Sequence, residues 1–175
     1  MKERRYLGYL MDFPSPKANI EKLHTYKPNF GKSKINNLIR LSANESALGA
    51  SLDAINALKI FSDDLNRYPP QVSDELISAI SKRYSLNKKK IILGNGSDEL
   101  ISILAQTFLN NYDEAIYTEF GFLQFPQAIS IAGAMGVVAN DVNHTASVDN
   151  ILSKISKKTK LIFLATLIIP QYIYI

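Results

Sequence analysis

The sequence has 175 residues, of which 46% are hydrophobic and 21% charged, with 20 basic and 16 acidic side chains and a net charge of +4. This composition is typical of a folded globular protein, and the length suits one domain better than two. The basic residues are scattered apart from a Lys88-Lys89-Lys90 run and there is no cysteine, so nucleic-acid binding, disulfides and thiolate metal sites are not expected and a cytoplasmic location is predicted.

The first half of the chain is predicted to contain an extended arm and two helices. Residues 13–34 are rich in Pro, Asn, Lys and Ser, and their apolar residues show no helical or strand periodicity. This predicts an extended arm that lies on the surface of other parts of the protein. Residues 51–61 and 73–84 carry apolar side chains at helical spacing. Ser51 and Ser73 are placed to cap these two helices.

From residue 91 onward, short apolar runs alternate with helical patterns. The predicted strands are residues 91–93, 115–117, 136–142 and 161–165, and helices are predicted after the glycine turn at 94–96 and over residues 124–132 and 148–156. This alternation predicts an α/β fold whose mainly parallel, doubly wound sheet is covered by helices on both faces.

The turn at residues 94–99, Gly-Asn-Gly-Ser-Asp-Glu, is the most informative local feature. Glycines let the chain turn sharply after a strand, and the first amide groups of the next helix then point outward with partial positive charge. Such a helix end attracts phosphate, and the Ser97 hydroxyl would add a donor. The alternative is a plain tight turn in which Ser97 or Asp98 caps the helix, and the local sequence does not decide between these interpretations.

Four segments together resemble the histidinol-phosphate aminotransferases in order and spacing. They are Leu-Ser-Ala-Asn-Glu at 41–45, Leu-Asn-Arg-Tyr-Pro at 65–69, Ile-Leu-Gly-Asn-Gly-Ser-Asp-Glu-Leu-Ile at 92–101, and Tyr-Thr-Glu-Phe-Gly-Phe-Leu at 117–123. The resemblance implies the fold of a fold-type-I pyridoxal-phosphate aminotransferase. It also implies three parts: an N-terminal arm and small-domain-type segment (1–40), the first part of the large domain (41–165) and a divergent tail (166–175).

The resemblance implies which residues contact the cofactor, pyridoxal 5'-phosphate. Gly96, Ser97 and Asp98 match the positions that bind its phosphate at the start of a helix. Phe122 matches the aromatic residue that stacks on its ring. Without the resemblance, Phe122 is more simply interpreted as a core residue, because aromatic side chains bury large areas for packing alone.

Three further positions are assigned by the resemblance. Tyr68 matches a tyrosine that reaches the cofactor phosphate of the other subunit, which implies a homodimer. Tyr26 and Asn44 resemble positions near the bound substrate. The alternatives are that Tyr68 is a turn residue beside two prolines and that Asn44 caps a helix or turn.

The sequence departs from the family pattern after residue 165. Ile169 occupies the position of the family's asparagine that contacts the cofactor ring, and the family's Schiff-base lysine would lie further along the chain. The resemblance therefore predicts no catalytic residue and no activity for this chain alone, and we interpret the altered end as a reading-frame slip. A sheet of this extent would also leave an unpaired edge.

The predicted function is that of a truncated aminotransferase. Its parent reaction would move an amino group between an amino-acid-like phosphate ester, or an aromatic amino acid, and a 2-oxo acid. Two alternatives remain, a partner subunit of a full-length aminotransferase and a non-catalytic phosphate-binding module, although the Gly-x-Gly-x-x-Gly spacing of nucleotide sites is missing. His24 and His144 have no partner at ligand spacing, so no metal site is predicted, and no membrane partner is expected.

Overall fold

The computed structural model describes residues 15–23, 45–69 and 73–165. The helices are α1 (Ala18–Glu21), α2 (Leu52–Phe61), α3 (Asp74–Tyr84), α4 (Gly96–Phe108), α5 (Gln124–Ala132) and α6 (Val148–Ser153), and the strands are β1 (Glu114–Thr118), β2 (Met135–Ala139) and β3 (Thr159–Phe163). Short 3-10 turns occur at Ser62–Asp64 and Lys88–Lys90. No helix in the described ranges combines the length and the apolarity that crossing a membrane requires.

The chain divides into two compact units, one formed by Met1–His24 with Leu93–Ile175 and the other by Thr25–Ile92. In the second unit, α2 begins where the Ser51 hydroxyl accepts a hydrogen bond from the Ala54 amide at 3.2 Å. Helix α3 ends at Ser85, whose φ of 54° places it in the left-handed region. Neither helix contains a fully buried residue, although Ile77 and Ile80 of α3 are partly buried.

The first unit is built on a three-stranded parallel sheet with the order β2-β1-β3. Strand β1 is central, and its Ala115 pairs with Gly136 on one side and Leu161 on the other. Ala115 and Ile116 are both fully buried. Since neighbouring residues of a strand point to opposite faces, β1 is covered on both of them.

The two faces of the sheet have separate hydrophobic clusters. On one face α4 and α5 pack through Ala105, Leu109, Ala115, Phe125, Ala128, Ile129 and Phe163. On the other face, Ile151 of α6 packs against Ile116 and Ala139. The connections β1-α5-β2 and β2-α6-β3 run in opposite directions across the sheet, so right-handed crossovers must place their helices on opposite faces. The predicted α/β fold with a doubly wound parallel sheet is confirmed.

Most predicted elements are present with small shifts. The helices predicted over residues 51–61, 73–84 and 124–132 and the strand at 115–117 are confirmed. The strand predicted at 136–142 is β2, which ends at Ala139, and the strand predicted at 161–165 is β3, which begins at Thr159. The helix predicted over 148–156 ends at Ser153.

Three predictions were wrong in detail. Residues 91–93 are not a strand, because Ile91 is extended but the segment pairs with no strand among the described residues. Ser73 occupies the N-cap position of α3, but its side chain forms no capping hydrogen bond. The predicted extended arm contains α1, which lies on α5 because the Asn19 side-chain amide donates to the Ser130 carbonyl and the Ser130 hydroxyl donates to the Asn19 carbonyl.

Candidate cofactor-binding site

The glycine turn at residues 94–99 is open to solvent. Helix α4 begins at Gly96, which has a φ of +83°, and the Gly96 amide donates to the Gly94 carbonyl at 2.9 Å. A Cβ atom at Gly96 would meet no other atom within 4 Å. Glycine is therefore required here by the backbone conformation and not by crowding. The space beside the helix end is free.

Two backbone amides at this helix end lack a hydrogen-bond partner in the part of the chain that the structure describes. Within the described residues, the amide groups of Ser97 and Asp98 donate to no residue outside the helix, and the side chains of both residues form no hydrogen bond. The alternative in which Ser97 or Asp98 caps α4 is therefore wrong. Both residues are exposed. The bend thus presents two amides and a hydroxyl to solvent, a donor set that fits a phosphate group.

The Glu99 side chain folds back from the first turn of α4 and contacts Asn95, which was not predicted from the sequence. Its Oε2 atom accepts hydrogen bonds from the Asn95 backbone amide at 2.6 Å and from Asn95 Nδ2 at 3.1 Å. A Cβ atom at Gly94 would lie 3.0 Å from this oxygen. A glutamate near the start of a helix can reach back to the N-cap amide, and the sequence places Glu99 four residues after Asn95, one residue beyond the usual capping-box spacing.

Phe122 follows β1 in a tight turn. The Gly121 amide donates to the Thr118 carbonyl at 2.9 Å, and a Cβ atom at Gly121 would lie 2.9 Å from that carbonyl oxygen. Phe122 is half-buried and meets Phe125 edge to face, with ring centroids 5.9 Å apart. It packs against the hydrophobic cluster below α5. Phe122 thus packs against the core, as the simpler interpretation predicted, while part of its ring stays exposed just before α5 begins.

A hydrogen-bond relay connects the first turn of α4 to the first turn of α5. Gln124 Nε2 donates to the Ser102 hydroxyl at 3.1 Å, and that hydroxyl donates to the Asp98 carbonyl at 2.8 Å. Gln124 lies two residues after Phe122. The relay therefore joins the segment that carries Ser97 and Asp98 to the segment that carries Phe122. Sequence reasoning missed it, because Ser102 and Gln124 belong to different helices.

Asp141 is a second residue that sequence reasoning missed. It follows β2 at the carboxyl edge of the sheet, where ligands of open parallel sheets bind. Its Oδ2 atom accepts a hydrogen bond from the Phe120 amide at 3.2 Å, so it supports the turn that carries Phe122. Its Oδ1 atom is buried without a hydrogen-bond partner among the described residues.

The other predicted site residues are not brought together by the described structure. Tyr68 belongs to the unit of residues 25–92, and its side chain is 93% exposed. Tyr26 and Asn44 lie outside the described residues. Gly96, Ser97 and Asp98 share one bend, and Phe122 is connected to it through the relay. The roles assigned to all these residues stay predictions.

Comparison with known proteins identifies the family. The family model described as aminotransferase class I and II matches residues 36–170.

The chain belongs to the class I and II aminotransferases.

Several curated relatives of this chain are histidinol-phosphate aminotransferases. It is 42% identical over 169 residues to the histidinol-phosphate aminotransferase of Rhodopseudomonas palustris (strain BisB5), covering 94% of this chain and 46% of that protein. It is 37% identical over 158 residues to the enzyme of the same name from Paramagnetospirillum magneticum (strain ATCC 700264 / AMB-1), covering 89% of this chain and 43% of that protein. The chain thus spans slightly less than half the length of these relatives.

Solved structures of aminotransferases share the fold of this chain. The histidinol-phosphate aminotransferase of Sinorhizobium meliloti in complex with pyridoxal-5'-phosphate superposes with a TM-score of 0.71 at 18% identity, over 83% of this chain and 40% of that one. An aminotransferase from Escherichia coli gives a TM-score of 0.60 at 21% identity, over 65% of this chain and 31% of that one. The predicted family and fold are confirmed, and the predicted cofactor is consistent with both the family and the Sinorhizobium structure.

Proposed function

We propose that this chain carries the cofactor-phosphate site of an aminotransferase of the histidinol-phosphate type. The observation that carries the proposal is the open bend at Gly96, whose free donors lie at the start of α4 in a chain about 40% identical to histidinol-phosphate aminotransferases. Pyridoxal 5'-phosphate is the ligand that we assign to this bend.

The chemistry of the bend suits a dianionic phosphate. The amides of Ser97 and Asp98 and the Ser97 hydroxyl would donate to its oxygens, and the start of a 13-residue helix adds partial positive charge. Two carboxylates also lie in this first turn, those of Asp98 and Glu99, and their charge opposes anion binding. The Glu99 carboxylate is turned back onto Asn95, which reduces that opposition.

The remaining assignments follow from the resemblance and the local contacts. We assign Phe122 to the flat face of the cofactor ring, because a half-buried aromatic held by Phe125 and the Phe120–Asp141 contact keeps a fixed orientation. When bound, the cofactor supplies an electron-withdrawing ring on which amino-group transfer depends. Tyr68 would reach the cofactor phosphate of a second copy in a homodimer.

The substrates proposed for the whole enzyme are an amino-acid-like phosphate ester and a 2-oxo acid, with Tyr26 and Asn44 near the substrate. By the resemblance, the lysine that holds the cofactor covalently belongs to the half of the relatives that this chain does not span. The part of the reaction that we assign to these 175 residues is therefore phosphate binding and ring orientation. The predicted cytoplasmic location and the homodimer stay predictions.

A second candidate function is a phosphate-binding module without transaminase chemistry, which the same open bend supports. The two candidates differ in what they require of the ligand. A cofactor site that includes Phe122 should prefer a phosphorylated pyridine ring over any other phosphate. A general phosphate module should bind a nucleotide or inorganic phosphate equally well.

Calorimetric titration of the purified chain tests the proposal. Pyridoxal 5'-phosphate, pyridoxal without the phosphate, a nucleoside monophosphate and inorganic phosphate would be compared at one ionic strength. We expect pyridoxal 5'-phosphate to bind more than about 10-fold tighter than pyridoxal, because charge-assisted hydrogen bonds to the phosphate contribute about 1.5–3 kcal/mol each. Equal affinities for these two ligands would refute the proposal, and a nucleotide that binds as tightly would favour the second candidate.

A further inference from the structure

We infer that an internal water molecule is bound between Thr118 and Asp141, beneath the turn that joins β1 to α5. This water site goes beyond the proposed function and does not depend on it. Among the described residues, only two buried side-chain atoms have no hydrogen-bond partner, and these are Thr118 Oγ1 and Asp141 Oδ1. Thr118 ends β1 and Asp141 follows β2, so both lie at the carboxyl edge of the sheet.

The register of the sheet places these two residues on the same face. Thr118 pairs with Ala139 in the parallel ladder of β1 and β2, so their side chains point to the same face. Asp141 lies two residues after Ala139, and a strand that continues past its last paired residue returns to that face at this position. Residues in this diagonal relation have Cα atoms about 7–8 Å apart and side chains that lie closer. One water molecule can therefore reach both side chains.

The Phe120 amide is an observed link between the two residues. It lies two residues after Thr118 and donates to Asp141 Oδ2 at 3.2 Å. A threonine hydroxyl can accept from the amide two residues later, but here the Asp141 side chain takes that donor. The Thr118 hydroxyl is thus left without its local partner, close to a carboxyl group whose second oxygen is also buried.

The Thr118 hydroxyl is enclosed by protein. Thr118 is 1% exposed, and a Cβ atom at Gly121 would lie 2.9 Å from Thr118 Oγ1. A buried polar atom that lacks a hydrogen bond destabilises the folded state, because it has lost its bonds to bulk water. Buried polar atoms without a protein partner are commonly satisfied by an ordered water molecule.

A water molecule suits these two atoms better than a metal ion does. Asp141 Oδ1 needs a donor and the Thr118 hydroxyl can donate or accept, so a water that donates to the carboxyl oxygen and bonds to the hydroxyl satisfies both. Two polar partners are enough to hold a buried water. In the part of the chain that the structure describes, no group of three acidic, histidine or cysteine side chains could hold a metal.

Relaxation dispersion of ¹⁷O in water tests the inference, because it detects water molecules that stay bound for longer than the protein tumbles. The full chain would be compared with Thr118→Val, which replaces the hydroxyl by a methyl group of similar size. Thr145→Val is the matched control, because Thr145 is exposed. We expect Thr118→Val to lose the signal of one long-lived water and Thr145→Val to lose none. Equal signals in all three proteins, as a direct hydrogen bond between Thr118 and Asp141 predicts, would overturn the inference.

A second measurement needs no substitution, so it applies even if Thr118→Val does not fold. In the unsubstituted chain, the cross-peak between water and the Phe120 amide should have the sign that a long-lived contact produces. The absence of this cross-peak would also refute the water site. Thr118→Ser, which retains the hydroxyl, should keep both signals, and their loss in this variant would count against the site. Neither measurement involves pyridoxal 5'-phosphate, so the outcome is independent of the proposed function.

Discussion

Gly96 is the residue on which the geometry of the bend depends most. Its φ of +83° lies in the left-handed region, which costs a residue with a Cβ atom about 1–2 kcal/mol. Nothing lies within 4 Å of the place where that Cβ would be, so the effect of Gly96→Ala is confined to the backbone.

We therefore expect Gly96→Ala to lower the free energy of unfolding by about 1 kcal/mol and to weaken pyridoxal 5'-phosphate binding. Gly133→Ala is the matched control, because Gly133 has a φ of +87° at the end of α5, away from the bend. Urea unfolding followed by circular dichroism should give similar losses for both variants. Calorimetry should give weaker cofactor binding for Gly96→Ala alone, and an equal loss of binding in Gly133→Ala would contradict this account of the bend.

Tyr117, in the central strand, gives a prediction about pH. Burial raises the pKa of its phenol above the ordinary value of 10.0. The folded protein therefore favours the protonated, neutral phenol, and this contribution to stability is complete below the pKa of the unfolded chain and is lost as the pH rises through the folded pKa.

The urea midpoint should consequently fall between about pH 8 and about pH 11, across the reference pKa of tyrosine. Tyr117→Phe should fall less over the same interval, because phenylalanine has no proton to lose. The comparison removes the contributions of the other tyrosines, which both proteins share. A fall of the same size in both proteins would show that Tyr117 contributes nothing to it.

Among the helices, α2 and α3 show how far sequence signals determine helix ends. Both were predicted to have a serine cap, and both have a serine at the N-cap position. Only Ser51 forms the capping hydrogen bond, to the Ala54 amide at 3.2 Å. At Ser73 the backbone has φ −83° and ψ 81°, outside the extended conformation that Ser51 adopts. A capping residue type can be recognised from sequence, but the rotation that completes the hydrogen bond cannot.

This difference predicts unequal effects of the same substitution. Ser51→Ala should reduce the stability of the unit of residues 25–92 by about 1 kcal/mol, whereas Ser73→Ala should change it by less than about 0.5 kcal/mol. Thermal unfolding followed by helical circular dichroism measures both. Equal losses would mean that the Ser51 hydrogen bond does not stabilise α2.

A strand was easiest to predict from the sequence where both of its faces are buried. Strand β1 is buried on both faces, so its apolar run Ala115-Ile116-Tyr117 identified it directly. The equally apolar run at residues 91–93 forms no strand in the described structure, because apolar composition does not specify a hydrogen-bonding partner. The hydrogen-bond donors of the candidate site could be predicted from the sequence motif at residues 94–99. The contact between Gln124 and Ser102 and the contact between Asp141 and Phe120 depend on tertiary packing and carry no local signal.

For the whole molecule, the sheet has two edges, since β2 and β3 each pair with one strand among the described residues. Several large apolar side chains of the two edge strands and of the residue that follows β3 are exposed, namely Met135, Val138, Ile162 and Leu164. Exposed apolar surface of this kind is where further elements of a chain or a partner pack. The chain spans less than half the length of its curated relatives, so the activity of the whole enzyme is a proposal that goes beyond these residues.

The central claim is that the bend at the start of α4 binds the phosphate of pyridoxal 5'-phosphate, and amide resonances of the isotope-labelled chain test it most directly. Adding pyridoxal 5'-phosphate should shift the Gly96, Ser97 and Asp98 amides, while pyridoxal at the same concentration should leave them in place. The Gly133 amide, in a similar backbone conformation outside the bend, should not respond to either ligand. Shifts of the bend amides that are the same with both ligands, or phosphate-dependent shifts confined to other residues, would contradict the claim.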